Sequence, residues 1–167
     1  MSQAHKTLYF LRHGIAVQRG SPGIPDTERP LTDQGREKMK QAARALAKLR
    51  PPIQALISSP LTRAYQTAEI VQKNQALEIE INPELSPGGS LENFLKTLKK
   101  RSENCLMLVG HEPDMSEWIK SLLEMGPSAT LVLKKGGLAC LSCYLEKPRP
   151  QAQLELLLSP KLLRKLA

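Results

Sequence analysis

Thr7-Leu8-Tyr9-Phe10-Leu11-Arg12-His13-Gly14 is the stretch from which the fold is read. A short apolar run passes directly into a guanidinium, an imidazole and a glycine. Such a run reads as a buried strand of the kind found in parallel sheets covered by helices. Arg12 and His13 then stand at the strand's carboxyl end, where open α/β sheets bind their ligands.

The same grammar repeats outward from it. Ala55 to Ile57 and Cys105 to Val109 read as further short strands, and Glu78-Ile79-Glu80-Ile81 alternates as a half-exposed one. Two late strands are expected at about Leu138 to Leu145 and Gln153 to Leu158. A polar loop rich in glycine and proline, Gly20 to Pro30, leads to Thr32, which can cap a helix with Met39, Ala42, Ala43, Leu46 and Leu49 inward; Pro51-Pro52 ends it. Ser59-Pro60 pairs an N-cap with proline at the first helical position, opening a helix with Leu61, Ala64, Tyr65, Ala68 and Val71 on one face. After Pro87-Gly88-Gly89, Ser90 caps a helix that buries Leu91, Phe94, Leu95 and Leu98. Asp114 and Glu117 predict a capping box for a helix facing the core through Met115, Trp118, Ile119 and Leu122 and ended by Gly126. Ser159-Pro160 starts a short final helix. Alternating strands and helices without repeats or linkers argue for one α/β domain over residues 1–167, its sheet covered on both faces.

A chain of 167 residues can bury such a core without disulfides or a structural metal. Cys140 and Cys143 have the spacing of a redox or zinc pair, but in a strand residues three apart face opposite ways, so both read as small buried residues. Met1 to Lys6 is polar, and the apolar run after it is too short for a signal peptide or a membrane span, which gives the expectation of a cytoplasmic protein without a membrane partner. The formal charge of +8 favours an anionic partner. With 4% aromatic residues the chain lacks base-stacking platforms, so nucleic acid is not expected, leaving a phosphorylated substrate or an acidic protein surface. Lys96, Lys99, Lys100 and Arg101 cluster near one helix end and read as a solvated face.

Three segments share one architecture, a strand followed by reactive or cationic residues: Arg12-His13-Gly14, Ser58-Ser59-Pro60-Leu61-Thr62-Arg63, and Gly110-His111-Glu112-Pro113. Arg63 falls in the first turn of a helix, where a cation meets the positive end of the macrodipole; it either points into solvent or awaits an anion. Arg12 has a similar bland reading, as the charge that ends a buried strand. His5, in the polar start, reads as structural. His13 and His111 each adjoin a glycine, which permits close approach of backbone or ligand. Zinc is the rival reading for the two histidines, but neighbouring arginines repel a dication and no third ligand stands at metal spacing. Phosphoryl transfer fits better, with a neutral imidazole to attack phosphorus and planar guanidinium forks to hold its oxygens. It requires a neutral His13 beside a charged His111, two pKa values pushed apart.

These motifs resemble the histidine phosphatase superfamily, also called phosphoglycerate mutase-like, and within it most closely the small phosphohistidine phosphatase (SixA) branch. The matching stretches are Leu11-Arg12-His13-Gly14, Arg29-Pro30-Leu31-Thr32 with Gly35, Ser58 to Ala64 with Gln66-Thr67, Pro83-Glu84-Leu85-Ser86-Pro87, Val109 to Pro113, and Leu158-Ser159-Pro160. They span nearly the whole chain. The resemblance implies a three-layer α/β/α sandwich with a mostly parallel central sheet. His13 would accept the phosphoryl group as a transient phosphohistidine; Arg12, Arg63 and His111 would line the phosphate pocket, and no metal or other cofactor is implied.

Larger members of the family carry a lid and an acidic proton donor where this chain has only the loop from Asn82 to Gly89. Glu84 is the nearest carboxylate there, either a proton donor or an exposed loop residue. An alkoxide leaving group needs such a donor, whereas a phosphohistidine leaves as an imidazole that is readily protonated near neutral pH. A lidless pocket also admits a side chain on a protein surface. The expected activity is therefore hydrolysis of phosphohistidine on a protein, such as a phosphorelay domain. A small-molecule phosphomonoesterase and, from another class, a non-catalytic phosphoprotein-binding domain are the alternatives. Whether Arg19 or Ser21 in the first loop touches substrate is left open by the sequence.

Overall fold

Side chains alternate across the first strand: Leu8 and Phe10 enter one apolar core and Leu11 the other, with Tyr9 packed beside it. The computed structural model describes residues 5–73, 77–146 and 150–167, so Met1 to Ala4 of the polar start lie outside the described residues. β1 (His5–Arg12), β2 (Ala55–Ser58), β3 (Ile79–Ile81), β4 (Cys105–Gly110), β5 (Leu138–Tyr144) and β6 (Gln151–Leu158) form a six-stranded sheet in the order β3-β2-β4-β1-β5-β6. β3, β2, β4 and β1 run parallel, while β5 and β6 run antiparallel, so the sheet is mixed.

Helices α1 (Asp33–Leu49), α2 (Thr62–Gln72) and α5 (Pro160–Lys165) pack on one face, against Leu11, Leu56, Met107 and Val109. Helices α3 (Leu91–Lys99) and α4 (Asp114–Leu122) cover the other, against Leu8, Phe10, Leu106 and Leu108. The result is the expected three-layer α/β/α sandwich. Among the described residues no helix is long and apolar enough to cross a membrane. Cys105, Cys140 and Cys143 are buried and unpaired, as the strand reading of the late pair requires.

Thr32, Ser90 and Ser159 cap their helices, accepting from the backbone N–H of Gly35, Asn93 and Leu162. Other local expectations fail. Ser59 does not cap α2: its N–H donates to Val109 O of the neighbouring strand, its Oγ accepts from Leu61 N beside His111 Nε2, and the helix begins at Thr62 with Leu61 as an N-cap that makes no side-chain cap bond. No capping box opens α4, whose N-cap is Pro113. The Asp114 carboxylate instead accepts from Gly88 N, and Glu117 pairs with Lys120. Gly126 does not end that helix, since Glu124 already takes the left-handed turn at φ 51°. Leu49 and Tyr65 are exposed, and on α2 Arg63 and Thr67 take buried positions instead. His5 is the first residue of β1, its ring 2.6 Å from Ser142 Oγ, and not part of a tail.

Candidate active site

β2, β4 and β1 are neighbours and parallel, with Arg12 paired to Gly110 and Ser58 to Val109. Their carboxyl ends therefore open on one edge, and the three motif segments meet there. Arg12, His13, Arg63 and His111 line a single cavity of about 520 Å³, into which Arg19, Arg29 and Lys135 also reach. Glu84 is not among the residues around it. Its carboxylate accepts from Ser90 N (2.6 Å) and Asn93 Nδ2 (3.3 Å), so it is occupied by the start of α3, and the proton-donor reading of Glu84 gives way to a capping one.

His13 is buried just beyond β1, its N–H donating to Gly110 O. Its Nδ1 lies 2.7 Å from Gly14 O. A carbonyl can only accept, so Nδ1 carries the proton and Nε2 keeps its lone pair. The His111 ring stands 5.0 Å away between centroids, tilted by 51°, with Nε2 2.8 Å from Ser59 Oγ. Gly14 serves packing more than ligand approach: a Cβ there would meet Met39 Cγ at 2.6 Å. Its N–H donates to Thr67 Oγ1, which in turn donates to Arg63 O, tying the His13 loop to the helix that carries Arg63.

Both guanidinium groups are held by backbone carbonyls. Arg12 Nη1 donates to Leu133 O (2.9 Å), and Arg63, 2% exposed and far from a solvent-pointing residue, donates through Nη1 to Asp26 O (2.7 Å). Asp26 also meets Arg63 Nη2 at 3.4 Å, Arg29 at 3.0 Å and Arg19 at 2.8 Å, and the Arg19 hydrogen bond leads the effects that hold its carboxyl far below the usual range. Arg12 Nε, Arg63 Nε and His111 Nδ1 are buried without a protein partner. Buried polar groups normally find one, and an anion with several acceptor oxygens suits donors so arranged.

Burial lowers the His13 pKa to about 2, with His111, Arg63 and Arg12 pushing the same way against the Gly14 carbonyl. Burial likewise lowers His111 to about 3, joined by Arg63 and Arg12. The expectation of two histidines shifted apart is thus corrected: both are held neutral, by burial first and then by neighbouring charges that are mostly arginines. A phosphoryl dianion would oppose that field and favour protonated His111. Glu112, at the cavity wall, accepts from Ser116 Oγ and Leu133 N through Oε1, and burial leads in raising its pKa. Among the described residues no group of three or more His, Cys, Asp or Glu could hold a metal ion.

Ser59, Thr67 and Glu112 fall within the quoted motifs but were given no part in the site, and Asp26 was not singled out. Each makes at least one bond to a residue distant in the chain, His111 for Ser59, Arg63 for Asp26, Gly14 for Thr67 and Leu133 for Glu112. Arg19 lies on the rim of the cavity, whereas Ser21 Oγ is turned to Gln18 O. The Lys96 to Arg101 cluster is partly neutralised, Lys96 by Glu92 and Arg101 by Glu80 and Glu103.

Residues 8–104 match the family model for the histidine phosphatase superfamily (branch 1). The chain is 38% identical over 163 residues to an uncharacterized protein of Picosynechococcus sp., covering 92% of this chain and 96% of that one. It is 29% identical over 111 residues to the phosphohistidine phosphatase SixA of Escherichia coli, covering 64% and 67%. The structure of the protein histidine phosphatase SixA complexed with tungstate superposes with a TM-score of 0.78 at 24% identity, over 93% of this chain and 97% of that chain.

Proposed function

Since this chain belongs to the histidine phosphatase superfamily it is a phosphatase, and we propose that it removes phosphoryl groups from a histidine on a cytoplasmic carrier protein of the phosphorelay kind. The observation that carries the reading is the His13 Nδ1–Gly14 O bond, which aims an imidazole lone pair while Arg12, Arg63 and His111 surround it. His13 Nε2 attacks phosphorus and the bond to the carrier imidazole breaks; that ring, protonated at its other nitrogen, leaves neutral. Water then attacks the phosphorylated His13, the second P–N bond breaks, and phosphate departs with His13 restored to its neutral form. The guanidinium groups hold the equatorial oxygens through both steps, and His111 shares the charge as the dianion raises its proton affinity. The likeness to SixA, whose solved structure holds the oxyanion tungstate, supports the same assignment.

A small phosphomonoester is the second reading, and Glu112 favours it: a carboxyl at the cavity wall whose hold on a proton is strengthened by burial is placed to supply the proton an alkoxide requires. The test compares kcat/KM on a phosphohistidine protein with that on small phosphomonoesters, for wild type and His13→Ala. Preference for the protein, with a phospho-enzyme trapped in wild type and absent from His13→Ala, is expected. Strong preference for the esters, lost in Glu112→Gln, overturns the protein substrate in favour of the second reading.

A further inference from the structure

Beside the catalytic cavity, across Arg12 and Lys135, lies a second cleft of about 590 Å³ between α1, α5 and the turn that precedes β5. Arg12 and Lys135 line both, so the two are continuous along one edge of the molecule. Lys38 of α1, Lys134 of the turn, and Lys161 and Arg164 of α5 add four cations to the cleft, and among the described residues no carboxylate lines it. Its floor is apolar, made by Ile15, Met39 and Ala42.

The backbone that carries two of these cations is tied to the site, and among the described residues none of the five beyond Arg12 is compensated. The Lys134-Lys135-Gly136-Gly137 turn closes through Gly137 N to Lys134 O, and Gly136 N donates to the carbonyls of Arg12 and His13. Gly136 takes φ 74°, a left-handed conformation that suits glycine, so the turn is pinned to the nucleophile's own backbone. α5 presents Lys161 and Arg164 three residues apart, on neighbouring turns of one face. Arg19, Arg29, Arg63 and Arg101 all meet carboxylates, but Lys38, Lys134, Lys135, Lys161 and Arg164 take part in no ion pair among the described residues. Burial pushes the Lys135 pKa down, and the nearby charges of Arg12, Arg29 and Arg63 push it the same way.

We propose that this cleft seats an acidic segment of the carrier protein whose phosphohistidine enters the adjoining catalytic cavity. The inference rests on the proposed protein substrate and names the surface that recognises it. Carboxylates would face Lys38, Lys134, Lys161 and Arg164, and one apolar side chain would cover Ile15, Met39 and Ala42. A free phosphate or a small ester reaches only the catalytic side of Arg12. Charges around a docking surface chiefly set encounter rate and partner choice, so their effect should appear in KM and salt dependence and not in the chemical step.

The experiment uses Lys161→Glu/Arg164→Glu, with Lys99→Glu/Lys100→Glu at the end of α3 as a control of equal charge change and Lys161→Gln/Arg164→Gln as a milder pair. Dephosphorylation of a phosphohistidine protein and of phosphoramidate is measured at low and high salt, and binding of a fluorescein-labelled peptide of alternating glutamate and leucine is followed by anisotropy. For the α5 reversal, kcat/KM on the protein should fall by about tenfold or more at low salt, with kcat little changed, phosphoramidate turnover unaltered and peptide binding lost. The neutral pair should show a smaller loss and the α3 control none. Equal losses on phosphoramidate and protein, or no loss on either, overturn the docking role. A wild-type enzyme that turns over phosphoramidate but not the phosphoprotein refutes the protein-substrate reading; peptide binding abolished by the α5 reversal would even then keep the cleft as an acidic-segment site, and absence of binding would overturn it. Tighter binding of an oligonucleotide or of anionic vesicles than of the peptide also overturns the assignment to protein.

Discussion

Gly35→Ala tests how the fold holds its nucleophile. Gly35 lies in the first turn of α1, and an added Cβ there would stand 2.0 Å from Ile15 O and 2.9 Å from Ile15 C. Ordinary C···O contacts are no closer than about 3.3 Å, so helix and loop must part by more than about 1 Å. The obstruction is backbone, not the end of a flexible side chain. Ile15 O also accepts from Thr32 N (2.9 Å) and Thr32 Oγ1 (3.3 Å), bonds that a parting would stretch or break. Overpacking of this kind costs about 1–3 kcal/mol, and each hydrogen bond lost adds about 1 kcal/mol. Alanine would otherwise stabilise the chain by about 0.4–1 kcal/mol through the unfolded state, so the expected net effect is a loss of about 2–4 kcal/mol. The sign is therefore diagnostic. The one tryptophan, Trp118, is buried against Phe94 and reports unfolding in urea by fluorescence. Gly126→Ala, with nothing within 4 Å of the new Cβ, is the control and should stay within about 0.5 kcal/mol of wild type. Ile15 is two residues from His13, so kcat should also fall by about tenfold or more as the loop shifts. A Gly35→Ala protein as stable as wild type would refute the close-packing account.

Glu84→Ala should cost about 1 kcal/mol of stability through the bonds lost at the start of α3 while leaving kcat within about twofold; a large fall in kcat on phosphohistidine would restore Glu84 as a proton donor. The two cavity histidines are held neutral when folded, against an unfolded value near 6.5. Between about 6.5 and their folded values of about 3 and about 2 the unfolded chain therefore binds more protons, and stability falls as pH is lowered through that window, by up to about 1.4 kcal/mol per pH unit for each histidine. Urea midpoints measured from pH 7 to 4 should decline less steeply for His111→Gln than for wild type, and identical slopes would contradict the buried-neutral assignment. Turnover should survive a metal chelator, since the cations around His13 disfavour a dication; activity lost in chelator and restored by added divalent ion would reverse that expectation.

Much of this architecture was legible because it depends on local pattern. Strand positions, the Thr32, Ser90 and Ser159 caps and the strand-like setting of Cys140 and Cys143 all follow from spacing within a few residues. His13, Arg12, Arg63 and His111 could be selected because each closes or follows a strand that an α/β sheet lays beside the others. The failures arise where the pattern does not say which partner a polar group will take. Ser59 and Asp114 have the composition of caps, but partners distant in the chain decide their use, Val109 and His111 for Ser59 and Gly88 for Asp114, while Glu84 is taken up by Ser90 and Asn93 of the next helix start.

By itself the sequence determined the alternation of strands and helices, the four side chains at the strand ends and, through ordered motifs spread along the chain, the family. Those properties are carried by short-range periodicity and by residue identity. Only the tertiary structure decided the protonation of the site and its surroundings. That His13 presents Nε2 depends on the carbonyl of Gly14. That both imidazoles are neutral depends on burial among arginines brought in from separate segments, and that the basic cleft adjoins the catalytic cavity depends on α5 returning to pack beside α1. Desolvation and electrostatic fields sum over everything nearby in space, and a linear pattern does not record which residues those will be.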